Sequence, residues 1–183
     1  MNKQRSGPFV PEVRDMIIEN ESLTNLINEK GGLKDDIRIE AIGSIDEASA
    51  ALGFARAVTD NARNKENILI IQKTLHILMA HLAGLGEPKD HSNAFDQTKV
   101  EWLQDQIKIY NGLVTIPDHF ILSGDTVADG VLSVARTCIR RAERRVVALQ
   151  NDGFSINPIL VNYLNRLSYF CFLMVLLELH QIQ

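Results

Sequence analysis

The stretch richest in possible chemistry is Ala135-Arg136-Thr137-Cys138-Ile139-Arg140-Arg141-Ala142-Glu143-Arg144-Arg145. Arg136, Arg140 and Glu143/Arg144 are spaced i, i+4, i+7/8, so a helix would carry them on one face. Like charges at that spacing repel by roughly a few tenths of a kcal/mol each. Something must offset the repulsion, either carboxylates from a neighbouring helix or an anionic ligand. Arginine serves both, because its planar fork grips carboxylate or phosphate oxygens two bonds at a time. Three readings stay open on this stretch alone: a solvated basic face partly neutralised by Glu143, a polyphosphate site, or a subunit interface.

Two further places carry weaker signals. Asp46 and Glu47 sit at the expected start of a helix, where carboxylates complement the dipole. The alternative is that Asp46 pairs with one of the arginines and orients its guanidinium. Lys34 follows the only double glycine, Gly31-Gly32. A Gly-Gly-x-Lys is a faint phosphate signal, because no strand is expected before it and the P-loop pattern is absent. The five histidines show no metal-ligand spacing, and His76 and His81, five apart, leave one helical face. Cys138 and Cys171 fall on apolar stripes and read as core residues, so no metal site is assigned.

Helices must position these groups. Ser44, followed three residues later by Glu47, has capping-box spacing ahead of Ala48, Ala51, Leu52 and Ala55. A second helix is predicted from about Lys65 to Leu82, with Ile68, Ile71, Leu75, Leu78 and Leu82 in steps of three and four. Gly84-Leu85-Gly86-Glu87-Pro88 should end it. A third is predicted from about Asp96 to Tyr110, closed by Asn111-Gly112. The fourth runs from about Thr126 to Gln150, its stripe Val131, Ala135, Cys138, Ala142, Val146, Leu149 forming a buried seam. The fifth starts near Pro158 and reaches about Leu179. Its all-apolar run Tyr169 to Leu177 is too short for a bilayer, which makes it a core helix. Before Lys34 the chain reads as an arm, with one short amphipathic stretch from about Val13 to Ile27. The fold expected is an all-α bundle of about five helices, with residues 1–33 as an arm and 34–183 as the bundle domain.

Composition agrees with that class. The chain has 183 residues, 45% apolar and 23% charged, enough for one domain with its own core. A net charge of −4 argues against a nucleic-acid coat or an anionic-membrane binder. Residues 1–15 hold charges and two prolines where a signal peptide needs an apolar core, so a soluble cytoplasmic domain is expected.

Four colinear segments resemble the PduO-type ATP:cob(I)alamin adenosyltransferases. Lys34-Asp35-Asp36-Ile37-Arg38-Ile39-Glu40-Ala41-Ile42-Gly43-Ser44-Ile45-Asp46-Glu47 is similar to the family's Lys-Asp-Asp-x-Arg-x-Glu-Ala-x-Gly-Thr-x-Asp-Glu signature. Phe120-Ile121-Leu122-x-Gly resembles its Phe-Ile-Leu-Pro-Gly loop, and the segment from Ala135 through Glu143 resembles its arginine-rich stretch. Tyr163-Leu164-Asn165-Arg166-Leu167-Ser168 resembles its Tyr-Leu-Asn-Arg-Leu-Ser element. The resemblance implies a five-helix bundle that forms trimers with active sites between subunits. It implies transfer of the 5′-deoxyadenosyl group of ATP, taken with Mg2+, to cobalamin in its cob(I) state, with release of triphosphate. By the same match Arg136 and Arg140 would hold the triphosphate, with Glu143 and Asn165 in the ATP site and Lys34 reaching a phosphate. Asp46 would form an intersubunit ion pair with Arg136, and Phe120 would lie under the corrin and help displace its lower ligand.

The departures from the pattern are equally specific. The family's Thr-x-x-Gly-Asp-x-Gly-x-Thr segment, whose amides and hydroxyls wrap phosphates, has no counterpart in residues 1–33. Tyr169 stands where Asp is usual, Ser133 where His is usual, and Ser123-Gly124-Asp125 where Pro-Gly-Gly is usual. The arginine half of the site is kept and the loop half is not. That pattern fits an active transferase with a diverged arm. It also fits a non-catalytic relative that binds a corrinoid or nucleotide or acts as an assembly subunit.

Overall fold

The computed structural model describes residues 23–26, 29–33, 35–84 and 95–180. A two-stranded antiparallel hairpin, β1 (Leu23–Leu26) and β2 (Glu29–Leu33), precedes five helices. These are α1 (Ile37–Val58), α2 (Ala62–Leu82), α3 (Gln97–Asn111), α4 (Val127–Asn151) and α5 (Pro158–His180). The all-α bundle is as expected. The hairpin corrects two readings: residues 23–26 extend rather than coil, and a strand holding Gly31 and Gly32 does precede Lys34. It is half of a hairpin, not the parallel strand that leads into a phosphate loop.

The first helix begins seven residues before the predicted cap. Asp36 is the N-cap and accepts from the Arg38 amide at 2.7 Å. Ser44 is therefore mid-helix and buried, its hydroxyl donating to the Glu40 carbonyl at 2.9 Å. Its capping-box spacing is the coincidence of a serine bonding back one turn. The capping box that does form is at the start of α4, where Thr126 accepts from the Asp129 amide and Asp129 accepts from the Thr126 amide. At the helix ends, Gly84 (φ 81°) and Gly153 (φ 92°) take the left-handed conformation that lets the chain turn away.

The core follows the predicted periods. Ala41, Ile45, Ala48, Leu52 and Ala55 of α1, and Ile68, Ile71, Leu75 and Leu78 of α2, are fully buried. The α4 stripe is buried from Ala135 onward, with Val131 packed at its edge. Small residues on both α1 and α4 let these two helices pair along the most extensive interface in the bundle. Helix α5 is buried on every side through Leu173, Met174, Val175 and Leu176, between α3 and α4. At 23 residues it is long enough to cross a bilayer, unlike its apolar run alone, but 61% of its apolar window is covered by protein. Burial, not brevity, marks it as a core helix.

A carboxylate of α5 lies inside this core. Glu178 of α5 is 6% exposed, and its Oε1 accepts from Thr59 Oγ1 and from Asn64 Nδ2. Asn64 Oδ1 in turn accepts from the Tyr110 hydroxyl at 2.8 Å, which accepts from Asn67 Nδ2 at 3.0 Å. The relay ties α1, α2, α3 and α5 together, as a buried carboxylate requires.

Candidate functional site

Helix α4 separates its arginines by angle. Consecutive residues on a helix point about 100° apart, so Arg140 and Arg141 leave by different faces. Arg141 and Arg145 face α1, where Arg141 pairs with Glu47 and Arg145 Nε meets Glu40 Oε1 at 3.1 Å. The Glu47 hydrogen bond raises the Arg141 pKa further. Arg136 and Arg140 have no ion-pair partner among the described residues. Of the two offsets that the repulsion demands, neighbouring carboxylates serve one pair and are not supplied to the other.

Those two arginines line a cavity of about 420 Å³ between α4, α5 and the loop of residues 112–126. The loop contributes His119, Phe120, Ile121 and Ser123, α4 adds Ser133, and α5 adds Ser168, Tyr169, Phe172 and Val175. One wall is cationic and the other is aromatic and aliphatic, with no carboxylate in the lining. Such a space suits a ligand with an anionic end and a flat apolar end. Phe120 is 100% exposed at its rim, next to Leu122 at 86%. A fully solvated phenylalanine contributes nothing to this chain's core.

Glu143 and Asn165 are brought together on the neighbouring turns of α4 and α5, Asn165 Nδ2 donating to Glu143 Oε1 at 2.9 Å. They lie beside the cavity rather than in its lining. Asp46 is exposed on α1, ten residues into the helix rather than at its cap, and makes no ion pair with Arg136 within the chain. Lys34 falls outside the described residues. The two cysteines are held as thiols: burial pushes Cys171 up to about 12, and burial with the Glu47 carboxylate pushes Cys138 up. Neither is a nucleophile at neutral pH.

The Cobalamin adenosyltransferase family model matches residues 20–178. The chain belongs to the cobalamin adenosyltransferase family. It is 36% identical over 143 residues to the corrinoid adenosyltransferase of Bacillus subtilis, covering 76% of this chain and 72% of that one. It is 34% identical over 149 residues to a corrinoid adenosyltransferase of Citrobacter freundii, covering 79% and 82%. Among solved structures, an arginine-to-lysine variant of the Lactobacillus reuteri PduO-type enzyme complexed with ATP superposes with a TM-score of 0.73. The two are 32% identical over 87% of this chain and 91% of that one. A phenylalanine-to-histidine variant of the same enzyme, complexed with cobalamin and ATP, gives 0.72 at 30% identity, covering 87% and 88%.

Sequence reasoning on this adenosyltransferase missed three kinds of residue. Glu40 and Glu47, read as a signature residue and a dipole partner, are the carboxylates that pair with Arg145 and Arg141 of the arginine row. Phe172 and Val175 follow Ser168 of the matched element and the departure at Tyr169 on α5, a signal hidden because that helix is apolar all round. Asn111, read only as a helix terminator, accepts from the Tyr169 hydroxyl at 3.1 Å.

Proposed function

We propose that the Arg136–Arg140 cavity is where this chain performs its family's reaction, transfer of the 5′-deoxyadenosyl group of ATP to cob(I)alamin. The observation that carries the proposal is two adjacent guanidiniums without carboxylate partners at the wall of a cavity whose other wall is apolar. Co(I) is a strong nucleophile. It attacks the ribose 5′-carbon, the C5′–O bond breaks, and triphosphate leaves with the electron pair. Little proton transfer is needed, so the protein's work is positioning and stabilising the leaving group. Arg136 and Arg140 meet the charge that grows on the triphosphate. Removing one preorganised donor of this sort costs about 10²–10³ in rate.

The remaining roles follow the matched positions. Glu143 and Asn165, already bonded to each other, fix the edge of the nucleotide site. Lys34, between the end of β2 at Leu33 and the start of α1 at Ile37, reaches a phosphate, and Mg2+ accompanies the ATP. Phe120 takes up the corrin, and its full exposure supports that role. Asp46 and Arg136, neither satisfied within the chain, pair across subunits of a trimer, and exposed Phe54, Val127 and Val134 supply apolar surface for its contacts. A reaction that consumes ATP and needs reduced cobalt, in a protein with two reduced thiols, belongs in the cytoplasm.

The test is a spectrophotometric assay with chemically reduced cob(I)alamin and MgATP, following loss of the Co(I) band. Turnover is the expected result. A folded chain without turnover would instead be a non-catalytic relative that binds nucleotide or corrinoid. Light scattering should give a mass three times that of the 20.5 kDa chain, and a monomer would remove the intersubunit pair.

A further inference from the structure

Phe120 hangs at the tip of a loop, beside Ile121, which packs against the core. Among the described residues, its own side chain and that of Leu122 meet solvent, and the one side-chain bond near the tip joins neighbours, His119 and Asp118. Apart from the packing of Ile121, the contacts that orient the ring act at the two feet of the loop. At the upstream foot, the amides of Leu113 and Val114 bond to the Tyr110 carbonyl, and Tyr169 of α5 donates its hydroxyl to Asn111 Oδ1. At the downstream foot, Ser123 Oγ donates to Ser133 Oγ of α4 at 2.6 Å. Buried Asp129 there accepts from the Gly124 amide at 2.7 Å and the Thr126 amide at 2.6 Å.

Three of the positions at which this chain departs from the family pattern are the side chains of these clamps. Ser123 replaces a proline and Ser133 a histidine, and the two bond to each other; Tyr169 replaces an aspartate and reaches the other foot. A proline at position 123 would fix φ and stiffen the loop by itself. Serine leaves the backbone free, so ordering the loop costs conformational entropy that some contact must offset. Ser133 and Tyr169 also line the same cavity as Phe120, Arg136 and Arg140.

Resting on the functional reading above, we infer that Ser133 and Tyr169 are positioning residues. Ser133 bonds Ser123 within the 112–126 loop, Tyr169 bonds Asn111 at the end of α3 from which the loop leaves, and together they hold Phe120 over the arginine cavity, supplying stiffness that a proline at position 123 would give. Their hydrogen bonds go to Ser123 and Asn111 and not to the arginines, so their loss falls on turnover more than on ATP binding.

The experiment compares the full chain with Ser133→Ala, Tyr169→Phe, the double variant, and Ser133→Ala combined with Ser123→Pro. Amide hydrogen exchange of residues 113–126, steady-state adenosylation and thermal melting are read on each. Each single variant should melt with the wild type, exchange faster in the loop, and lose about tenfold in kcat with a smaller change in KM for ATP, the scale of one ordinary hydrogen bond. Ser123→Pro should restore kcat to Ser133→Ala. Wild-type exchange and kcat in the double variant would overturn the inference. So would a rise in KM for ATP at constant kcat, or the absence of proline rescue. Wild-type turnover beside inert variants sinks the clamps alone, whereas a wild type without turnover sinks the functional reading and the clamps with it.

Discussion

Helix α4 carries two pairs of arginines, one residue out of phase, and the fold treats them oppositely. Arg141 and Arg145 look onto α1 and find Glu47 and Glu40. Arg136 and Arg140 look into a cavity that holds no carboxylate. The first pair solves the repulsion problem locally and belongs to the architecture. The second pair is left for something that arrives from outside, and that is what separates a binding group from a structural one of the same chemical type. Glu178 extends the contrast to the opposite sign: it is a carboxylate taken deep into the core and met there by donors from Thr59, which caps α1, and from α2.

The sharpest way to break this contrast is to truncate one arginine of each pair. Arg140→Ala should lower adenosyl transfer by about 10²–10³ while leaving the melting temperature in place, because no partner is stranded. The same variant should lose its thermal protection by MgATP. For the wild type, ligand at a hundred times Kd adds about 2.7 kcal/mol. Full activity or intact ATP protection in Arg140→Ala would show that the unpaired arginines are merely solvated.

Glu178→Ala tests the buried end of the contrast. It strands the Thr59 hydroxyl and the Asn64 amide, and should cost about 2–3 kcal/mol of stability with activity of the folded protein retained. Tyr110, in the same relay, gives a matching pH signature. Burial pushes its phenol from 10 up to about 12, so above pH 10 the unfolded chain loses a proton that the folded chain keeps. Stability should therefore fall as pH rises from 10 toward 12. Tyr163 and Cys171, also raised by burial, add to the same fall, so the share of Tyr110 is read against Tyr110→Phe, and an identical profile in that variant would mean that its phenol is not enclosed.

How far these features can be read from sequence follows from their range. The five helices were legible because their apolar steps repeat locally, and the cavity arginines because four segments match a family in order. The split of the arginine row was not, since it depends on which face of α4 meets α1. Glu47 was read as a cap partner for the same reason: its spacing from Ser44 is local, whereas its bond to Arg141 crosses 94 residues of chain. The hairpin was missed because Leu23 to Leu33 alternates poorly and carries two glycines, so only pairing reveals it. Tyr169 stood out as a departure from a pattern, but its role required knowing that the end of α3 lies beside it.

The smallest effect completes the comparison. Arg141→Ala and Arg145→Ala break ion pairs whose members are each about half exposed. Exposed pairs are screened and cost side-chain entropy to hold. Each variant should lower the melting temperature by no more than about 3 °C, and by less in high salt, with transfer activity near wild type. Arg141→Ala is a demanding control, since Arg140 and Arg141 are adjacent in sequence and identical in charge. If Arg141→Ala also abolished turnover, the face a residue occupies would not decide its role, and the whole basic row would have to act on the nucleotide together. If only Arg140→Ala does so, the angle between two neighbouring residues on one helix separates the chemistry from the scaffold.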